Sequence, residues 1–287
     1  MLLLLLGIIW KSKVKNARDN MEIKSKENGK ELKEIIKNQE FSIKVNYDKS
    51  TVKRPKNIVY NYNPDIIKRF KELSKELNVV SVGFTKLSPD LILNDAELEY
   101  DNAIVLVFEM FDEILETEPG ILAKSYNDYL YEQIANKTYK LSDFLRENNV
   151  DTEPIHPEYD EFIDFSKIAA KANLGGIGRS GLLITPEYGP KVKISVILTS
   201  AKLDKTDPEE DFSWIKEYCK RCGKCMDACT YDALKNDKLH PKKCKGCNEG
   251  CSYCINDCPF HKKGYMNIKR KFFKYQEKIQ ERNKNNN

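Results

Sequence analysis

The cysteines are the residues whose type and spacing point most directly to chemistry. All nine lie between residues 219 and 258, and the 218 residues before them contain none. A disulfide framework spreads its cysteines along the chain, and an odd number cannot be paired completely. The dense, short spacings therefore predict thiolate ligands to a metal centre in a reducing compartment, and we expect a cytoplasmic protein.

The first cysteine run has the spacing of bacterial two-cluster iron–sulfur proteins. Its members, at x2-x2-x3 spacing, are Cys219, Cys222, Cys225 and Cys229. In this pattern three thiolates hold one [4Fe–4S] cluster and the fourth ligates the other cluster. Structural zinc is the alternative, because paired Cys-x-x-Cys motifs also bind zinc. The x2-x2-x3 spacing, however, does not correspond to a simple tetrahedral zinc site.

The second run ends in the Cys-Pro pair that is usual for such motifs. Its members are Cys244, Cys247, Cys251, Cys254 and Cys258, followed by Pro259. With fourth ligands exchanged between the runs, the predicted ligands of cluster one are Cys219, Cys222, Cys225 and Cys258. Those of cluster two are Cys229, Cys251, Cys254 and either Cys244 or Cys247. Two clusters thus use eight thiols and leave one spare.

The elements that must position this module precede it. Amphipathic periodicity predicts helices over 65–77, 122–147 and 161–173, and apolar runs predict strands at 79–82, 103–108, 182–185 and 192–198. This alternation indicates an α/β or α+β fold. We divide the chain into a polar lead-in (1–59), an α/β domain (60–206), a double-cluster module (207–264) and a basic amphipathic tail (265–287).

The first ten residues, MLLLLLGIIW, are apolar. A membrane-spanning helix needs about 20 apolar residues, so this run could at most be a weak interfacial anchor. The alternative is an unstructured or misassigned start, with Met21 as the true first residue. A mean hydropathy of −0.60 argues against an integral membrane protein.

The tail is basic and amphipathic. From 261 to 287 the sequence has nine Lys or Arg and two Glu. Ile268, Phe272, Tyr275 and Ile279 follow at 4-3-4 helical spacing. We interpret them as the face of a terminal helix that docks on the protein, with membrane-surface or partner contact as the alternative. Since no cysteine follows Cys258, the sequence predicts that both clusters survive removal of the tail.

A glycine-dense loop at 175–181 formally matches the G-x-G-x-x-G pattern. A dinucleotide site requires a strand before this pattern and a helix after it, and here the predicted order is reversed. Glycines at this density still indicate close backbone approach, either to a flat ligand or to another element.

Two segments together resemble a known family. The segment AAKANLGGIGRSGLLITPEYGPKVKISVILTS (169–200), followed by CSYCINDCPF (251–260), is similar to reductive dehalogenases and to the related epoxyqueuosine reductases of tRNA modification. The resemblance implies an α+β protein: a nitroreductase-like domain that holds a base-off corrinoid (cobalamin), and a ferredoxin-like module whose two [4Fe–4S] clusters feed electrons to the cobalt.

The resemblance also implies roles for individual residues. Tyr131 would donate a proton beside the corrinoid, with Lys193 as its charge partner, and Cys244 would be the first ligand of the second run. The residues implied to line the macrocycle are Gly175, Gly176, Gly178, Arg179, Ser180, Gly181, Thr185 and Gly189.

The function expected from these observations is a corrinoid-dependent iron–sulfur reductase of a small-molecule substrate. Its electrons would come from a low-potential donor such as a ferredoxin or flavodoxin. The alternatives are a non-catalytic electron carrier, an enzyme that uses flavin, and an epoxyqueuosine reductase acting on tRNA. For the last, the expected aspartate falls at Tyr159-Asp160 without the proline of its usual motif.

Overall fold

The computed structural model describes residues 48–157, 162–207, 210–236 and 238–285. The chain divides into two compact units, 1–49 and 50–287, and every element given below belongs to the second. The predicted apolar start at 1–10, Met21 and the Tyr159-Asp160 pair lie outside the described residues. The side chain of Cys247 lies outside them too, so its role as the spare thiol stays a prediction.

Ten α-helices lie in the described ranges. They are α1 (Pro64–Glu76), α2 (Asp112–Glu116), α3 (Ile121–Glu147), α4 (Phe165–Lys171), α5 (Ser213–Cys222), α6 (Lys224–Asp227), α7 (Gly246–Glu249), α8 (Tyr253–Asn256), α9 (Pro259–Lys263) and α10 (Tyr265–Asn285). Two 3-10 turns span Pro89–Leu91 and Pro241–Lys243. Among these helices, none combines the length and apolar character needed to cross a membrane.

The main sheet has four strands in the order β1-β2-β6-β3, and all three pairings are antiparallel. The strands are β1 (Ser81–Lys86), β2 (Asn102–Glu109), β3 (Thr152–Ile155), β4 (Gly176–Ile177), β5 (Leu183–Ile184), β6 (Val192–Thr199), β7 (Leu234–Lys235) and β8 (Lys238–Leu239). Strands β4 and β5 form one small hairpin, and β7 and β8 form another. The fold is a mixed α+β fold.

Helices cover both faces of the sheet, as the continuous apolar run at 103–108 predicts. On β2, Ile104 and Leu106 belong to a core shared with α1 and α3. Val105 and Val107, which point to the other face, belong to a core shared with α4. The alternation of strand side chains thus divides one apolar run between two cores.

Local signals explain where two helices begin. Asn63 caps α1 by accepting a hydrogen bond from the backbone N–H of Asp65 at 3.0 Å, and Pro64 occupies the first helical position. Asp164 caps α4 by accepting from the N–H of Lys167 at 3.0 Å. Because this cap fixes the start of α4 at Phe165, the helix is shorter than the range 161–173 that the apolar pattern predicts.

Two strand predictions differ from the structure. The strand predicted at 182–185 is confined to Leu183–Ile184, and β3, with the sequence TEPI, was not predicted. A four-residue segment with a proline carries little strand signal. It forms here at the sheet edge, where one neighbour, β6, supplies its hydrogen bonds.

The tail helix α10 packs on the cysteine module around one tryptophan. The rings of five aromatic residues lie within 6.5 Å of the Trp214 ring, namely Tyr218, Phe260, Tyr265, Phe272 and Phe273. Ile268 and Phe272 are buried, as the predicted docking face requires, whereas Tyr275 is 53% exposed.

Candidate functional site

The thiols predicted to hold cluster one are brought together by short helices. Cys219 and Cys222 lie on α5, Cys225 lies on α6, and Cys258 directly precedes α9. Between α5 and α6, Gly223 adopts φ +67°, a left-handed conformation that glycine tolerates best, and reverses the chain. All four thiols line one small pocket.

This pocket also contains part of the glycine-dense loop. Gly178, Arg179 and Ser180 line it opposite the thiols, together with Ile184. The Nη1 of Arg179 donates a hydrogen bond to the carbonyl oxygen of Lys220 at 3.3 Å. The loop therefore connects the main domain to the immediate surroundings of cluster one.

A second group of thiols matches the set predicted for cluster two. Cys229, Cys244, Cys251 and Cys254 lie close enough for the thiols of Cys229 and Cys244 to add to the raised pKa of both Cys251 and Cys254. The ligation itself stays a prediction. No group of three or more His, Cys, Asp or Glu side chains within the described ranges is arranged to hold a single metal ion.

Burial controls the protonation of these thiols. It raises the pKa of Cys219 and of Cys254 to about 12 and that of Cys258 to about 11, and neighbouring thiols add to the effect. A thiol with such a pKa is uncharged at neutral pH, whereas a metal ligand is a thiolate. A bound iron–sulfur cluster supplies the positive charge that would stabilise these thiolates, so the donor set fits the cluster.

The loop 250–252, which contains Cys251, contacts the backbone of the main domain. At Gly250, which adopts φ +67°, an added Cβ would lie 2.4 Å from the carbonyl carbon of Ala123 on α3. Ser252 Oγ donates a hydrogen bond to the carbonyl oxygen of Ile114 on α2 at 3.0 Å. Cys254 packs against the core formed by α1, α3 and the sheet. Helix α3 therefore adjoins the thiols that are predicted to hold cluster two.

The two residues predicted to act on a proton are in contact. Lys193 Nζ donates a hydrogen bond to Tyr131 Oη at 2.9 Å and lies 4.6 Å from the centre of the tyrosine ring. Tyr131 is 8% exposed. The structure brings the phenol and the ammonium together, and their catalytic role stays a prediction.

Polar contacts between α3 and the sheet set this pairing. Thr138 Oγ1 lies 2.7 Å from Ser195 Oγ, two residues along β6 from Lys193. One turn further along α3, Ser142 Oγ lies 2.7 Å from Thr152 Oγ1 on β3. These buried hydroxyl pairs join α3 to the sheet on the same helix that places Tyr131 beside Lys193.

The glycines predicted to line a macrocycle are mostly surrounded by the protein itself. A Cβ on Gly175 would lie 2.3 Å from the carbonyl oxygen of Ile184, and one on Gly178 would lie 2.7 Å from the Cδ1 of the same residue. A Cβ on Gly176 would lie 2.8 Å from a side-chain carbon of α5. Only Gly181 of these four meets open space. Packing therefore explains three glycines without a ligand, and a cofactor-binding role stays a prediction.

The turn before β6 is also held internally. Thr185 and Gly189 exchange two backbone hydrogen bonds of 3.0 Å, and Thr185 Oγ1 accepts from the N–H of Tyr188 at 3.2 Å. Gly189 adopts φ +58°, and a Cβ there would lie 3.0 Å from the carbonyl carbon of Phe260. The turn thus packs directly on α9, two residues from Cys258.

Two residues near this region were not predicted from the sequence. Lys191 is buried and donates to Glu109 at 2.8 Å and to Asp112 at 2.5 Å, and these carboxylates outweigh burial to raise the pKa of Lys191. Asn127, one turn before Tyr131 on α3, is 1% exposed, and its Nδ2 has no hydrogen-bond partner among the described residues. The sequence signal for Asn127 was its place as a polar residue among the apolar residues on the buried side of α3.

Comparisons with known proteins identify a 4Fe-4S binding segment and two groups of similar proteins. A family model described as a 4Fe-4S binding domain matches residues 212–235. The tetrachloroethene reductive dehalogenase of Desulfitobacterium hafniense is 30% identical over 167 residues, covering 57% of this chain and 29% of the relative. The epoxyqueuosine reductase of Bacillus subtilis is 27% identical over 159 residues, covering 48% of this chain and 39% of the relative. The chain thus spans well under half the length of these relatives.

Solved structures show the same fold. A catabolic reductive dehalogenase in complex with 3-bromo-4-hydroxybenzoic acid matches with a TM-score of 0.64 at 19% identity, over 78% of this chain and 37% of that chain. An epoxyqueuosine reductase with a tRNA stem loop matches with a TM-score of 0.52 at 19% identity, over 69% of this chain and 66% of that chain. Fold and site define an α+β protein with a 4Fe-4S binding module. The chain is reductive dehalogenase/epoxyqueuosine reductase-like, and the resemblance inferred from its sequence is confirmed.

Proposed function

We propose that this protein is an iron–sulfur reductase that passes electrons through two [4Fe–4S] clusters to a base-off corrinoid and reduces a small substrate there. The observation that carries the proposal is the contact of 2.9 Å between Lys193 Nζ and Tyr131 Oη. This contact places a phenol and an ammonium side by side within the described part of the protein. Such a pair suits an enzyme that must deliver a proton.

The pair fits the proton requirement of a reductive cleavage. When bound, the corrinoid supplies a metal centre for reduction of a carbon–halogen or carbon–oxygen bond. Negative charge then develops on carbon or on the leaving atom, and a proton donor must lie within hydrogen-bond reach. Tyr131 holds that proton on Oη, and the Lys193 ammonium stabilises the phenolate left after transfer, since a nearby cation favours the charged form.

One buried donor close to this pair supports a polar ligand. Asn127 lies on the same face of α3 as Tyr131, and its buried Nδ2 has no partner among the described residues. Such a donor is expected to meet an acceptor in the working protein. The corrin ring is edged with amide side chains, so its carbonyl groups offer that acceptor.

Reconstitution tests the proposal. The full chain would be reconstituted anaerobically with iron, sulfide and cobalamin, separated from free cofactor by gel filtration, and examined by absorption spectroscopy. We expect bound corrinoid in about equal amount to protein, together with the broad absorption of the clusters. Full iron content without retained corrinoid would contradict the proposal and favour an electron carrier, whereas retained flavin in a parallel sample would favour the flavin alternative.

A further inference from the structure

The surface beside cluster one is basic. Helices α5 and α10 pack together and carry ten Lys or Arg but three Glu. On α10, Lys271, Lys274 and Lys278 are exposed and share one side of the helix, since they are spaced three and four residues apart. Arg221, exposed at the end of α5, adjoins this stripe. We call these four residues the basic face.

A thiol predicted to ligate cluster one lines a cleft in the basic face. The cleft has a volume of about 320 Å³, and its lining consists of Tyr218, Arg221, Cys222, Lys271, Phe272 and Tyr275. The Arg221 guanidinium lies 5.2 Å from the ring centre of Phe272 and 5.1 Å from that of Tyr275. Cation–π contact with both rings holds this cation in the lining of the cleft. The carboxylate of Glu217 is its acidic neighbour, at 3.7 Å.

We infer that the basic face is the docking surface for a small acidic protein that delivers electrons one at a time to cluster one. The inference rests on the proposed function, since it names the partner that supplies the reductase. In each encounter one electron leaves the reduced carrier and converts one oxidised cluster to its reduced form. No bond forms or breaks, and no proton moves.

The composition of the surface favours this partner. Exposed Phe273 and Tyr275, 43% and 53% accessible, accompany Arg221 among the lysines. Aromatic residues and arginine are enriched in the centres of protein–protein interfaces, and charged residues form the rim. Redox complexes use small interfaces, and opposite charge accelerates their formation. The cluster ligand Cys222 lies within the surface itself.

Nucleic acid is the other polyanion that such a surface could bind. The basic face, however, adjoins cluster one on α5 and α10, whereas the proton-donating pair lies on α3 and β6. A face that recognised an RNA substrate would be expected beside the reacting groups. Its position next to a cluster ligand favours an electron carrier, and RNA binding becomes an outcome of the test.

Charge reversal tests the inference. The variant Lys271→Glu/Lys274→Glu removes two basic residues without touching a cysteine or the aromatic core. The matched control is Lys56→Glu/Lys68→Glu, which reverses two exposed lysines outside the module. Each full chain, reconstituted with clusters, would be mixed in a stopped-flow instrument with reduced flavodoxin, an acidic one-electron carrier, and separately with dithionite, a small reductant.

We expect the basic-face variant to be reduced by flavodoxin about 10-fold or more slowly than the parent at low salt, the scale of electrostatic steering. Added salt should slow the parent more than the variant, because screening weakens the attraction. Dithionite should reduce all three proteins at the same rate, and the control should behave as the parent. This pattern supports docking at the basic face.

Three results would overturn the docking proposal: equal flavodoxin rates for parent and variant, equal loss in the control, or no reduction of the parent by flavodoxin although dithionite reduces it. Binding of a labelled RNA stem-loop that the variant loses, with unchanged flavodoxin rates, would assign the face to nucleic acid instead. Reconstituted parent that retains no corrinoid but shows the expected flavodoxin and dithionite rates would contradict the proposed reductase function alone, and the two failures are therefore distinguishable.

Discussion

The ammonium of Lys193 lies against both the oxygen and the ring of Tyr131, at 2.9 Å from Oη and 4.6 Å from the ring centre. The residues are 62 positions apart and meet because α3 lies across β6. The contact places a cation within hydrogen-bond distance of the atom that would donate a proton to a substrate.

Tyr131→Phe removes the proton and keeps the ring. We expect the iron content and the corrinoid spectrum to be unchanged, while turnover of a substrate found in a panel of small organohalides falls by about 10²-fold or more, the scale of general acid catalysis. Tyr129→Phe, on the exposed side of the same helix, is the matched control. Full turnover in Tyr131→Phe would remove Tyr131 from the mechanism.

Lys193→Met tests whether the two residues act as a unit. We expect the single variant to lose most of the same turnover, because the phenolate then forms without its cation. The double variant should be little worse than either single variant, since residues that act together are strongly non-additive. Losses that multiply in the double variant would show that Lys193 acts independently of Tyr131.

Iron analysis tests the cluster count. The two groups of four thiols predict about eight irons and eight acid-labile sulfides per chain after anaerobic reconstitution. Cys244→Ser should lose one cluster, because Cys244 lies near Cys251 and Cys254, whereas Cys247→Ser should keep both. Four or fewer irons in the parent, or stoichiometric zinc, would contradict the two-cluster assignment, and the reverse result for the two variants would exchange their roles.

The cysteine groups could be predicted because their chemistry is encoded in spacings of two and three residues. The contact between Tyr131 and Lys193 could not be obtained that way. It depends on where α3 lies along β6, which follows from the apolar core between them and from tertiary contacts such as Thr138 with Ser195. The resemblance to a family named the two residues, and only the fold shows that they touch.

The glycine-dense loop at 175–181 shows what a sequence pattern alone leaves undetermined. Its composition predicts close backbone approach but does not reveal what approaches. In the structure the neighbours of Gly175, Gly176 and Gly178 are atoms of β5 and α5. A sequence pattern that suggests a flat ligand is thus produced equally well by the packing of two elements.

The tail helix is a structural part of the module. Phe272 is 5% exposed within the aromatic group around Trp214, whereas the adjacent Phe273 is 43% exposed. We expect Phe272→Ala to lower the free energy of unfolding by about 3–5 kcal/mol and Phe273→Ala to have a much smaller effect, measured by chemical denaturation of the reconstituted protein. Similar losses in both variants would contradict this packing.

The same packing replaces the sequence-based expectation that both clusters survive removal of the tail. Deleting residues 266–287 would expose Trp214 and the apolar side of α5, the helix that holds Cys219 and Cys222. We now expect the truncated protein to lose cluster one while retaining more of cluster two, measured as iron per chain. An unchanged iron content would show that α5 keeps its position without α10.

The loop before Cys251 contains a glycine in close contact with the backbone of α3. Gly250 adopts φ +67°, and a Cβ there would lie 2.4 Å from the backbone of Ala123. Gly223 has the same φ, but its nearest neighbour would be a flexible Arg179 nitrogen at 3.6 Å, which is ordinary contact. An alanine would therefore adopt the same unfavourable backbone conformation at both positions, but only at Gly250 would its Cβ clash with a neighbouring helix.

Gly223→Ala and Gly250→Ala form a matched pair of variants for this reason. Left-handed backbone costs alanine about 1–2 kcal/mol at either position. Gly250→Ala should lose about 1–3 kcal/mol more, because the loop must move away from α3. Denaturation of the reconstituted proteins measures the difference, and iron analysis should show that Gly250→Ala loses cluster two first. Equal stability in the two variants would mean that the loop reaches its place without resting on α3, and that the position of cluster two is set by its own cysteines alone.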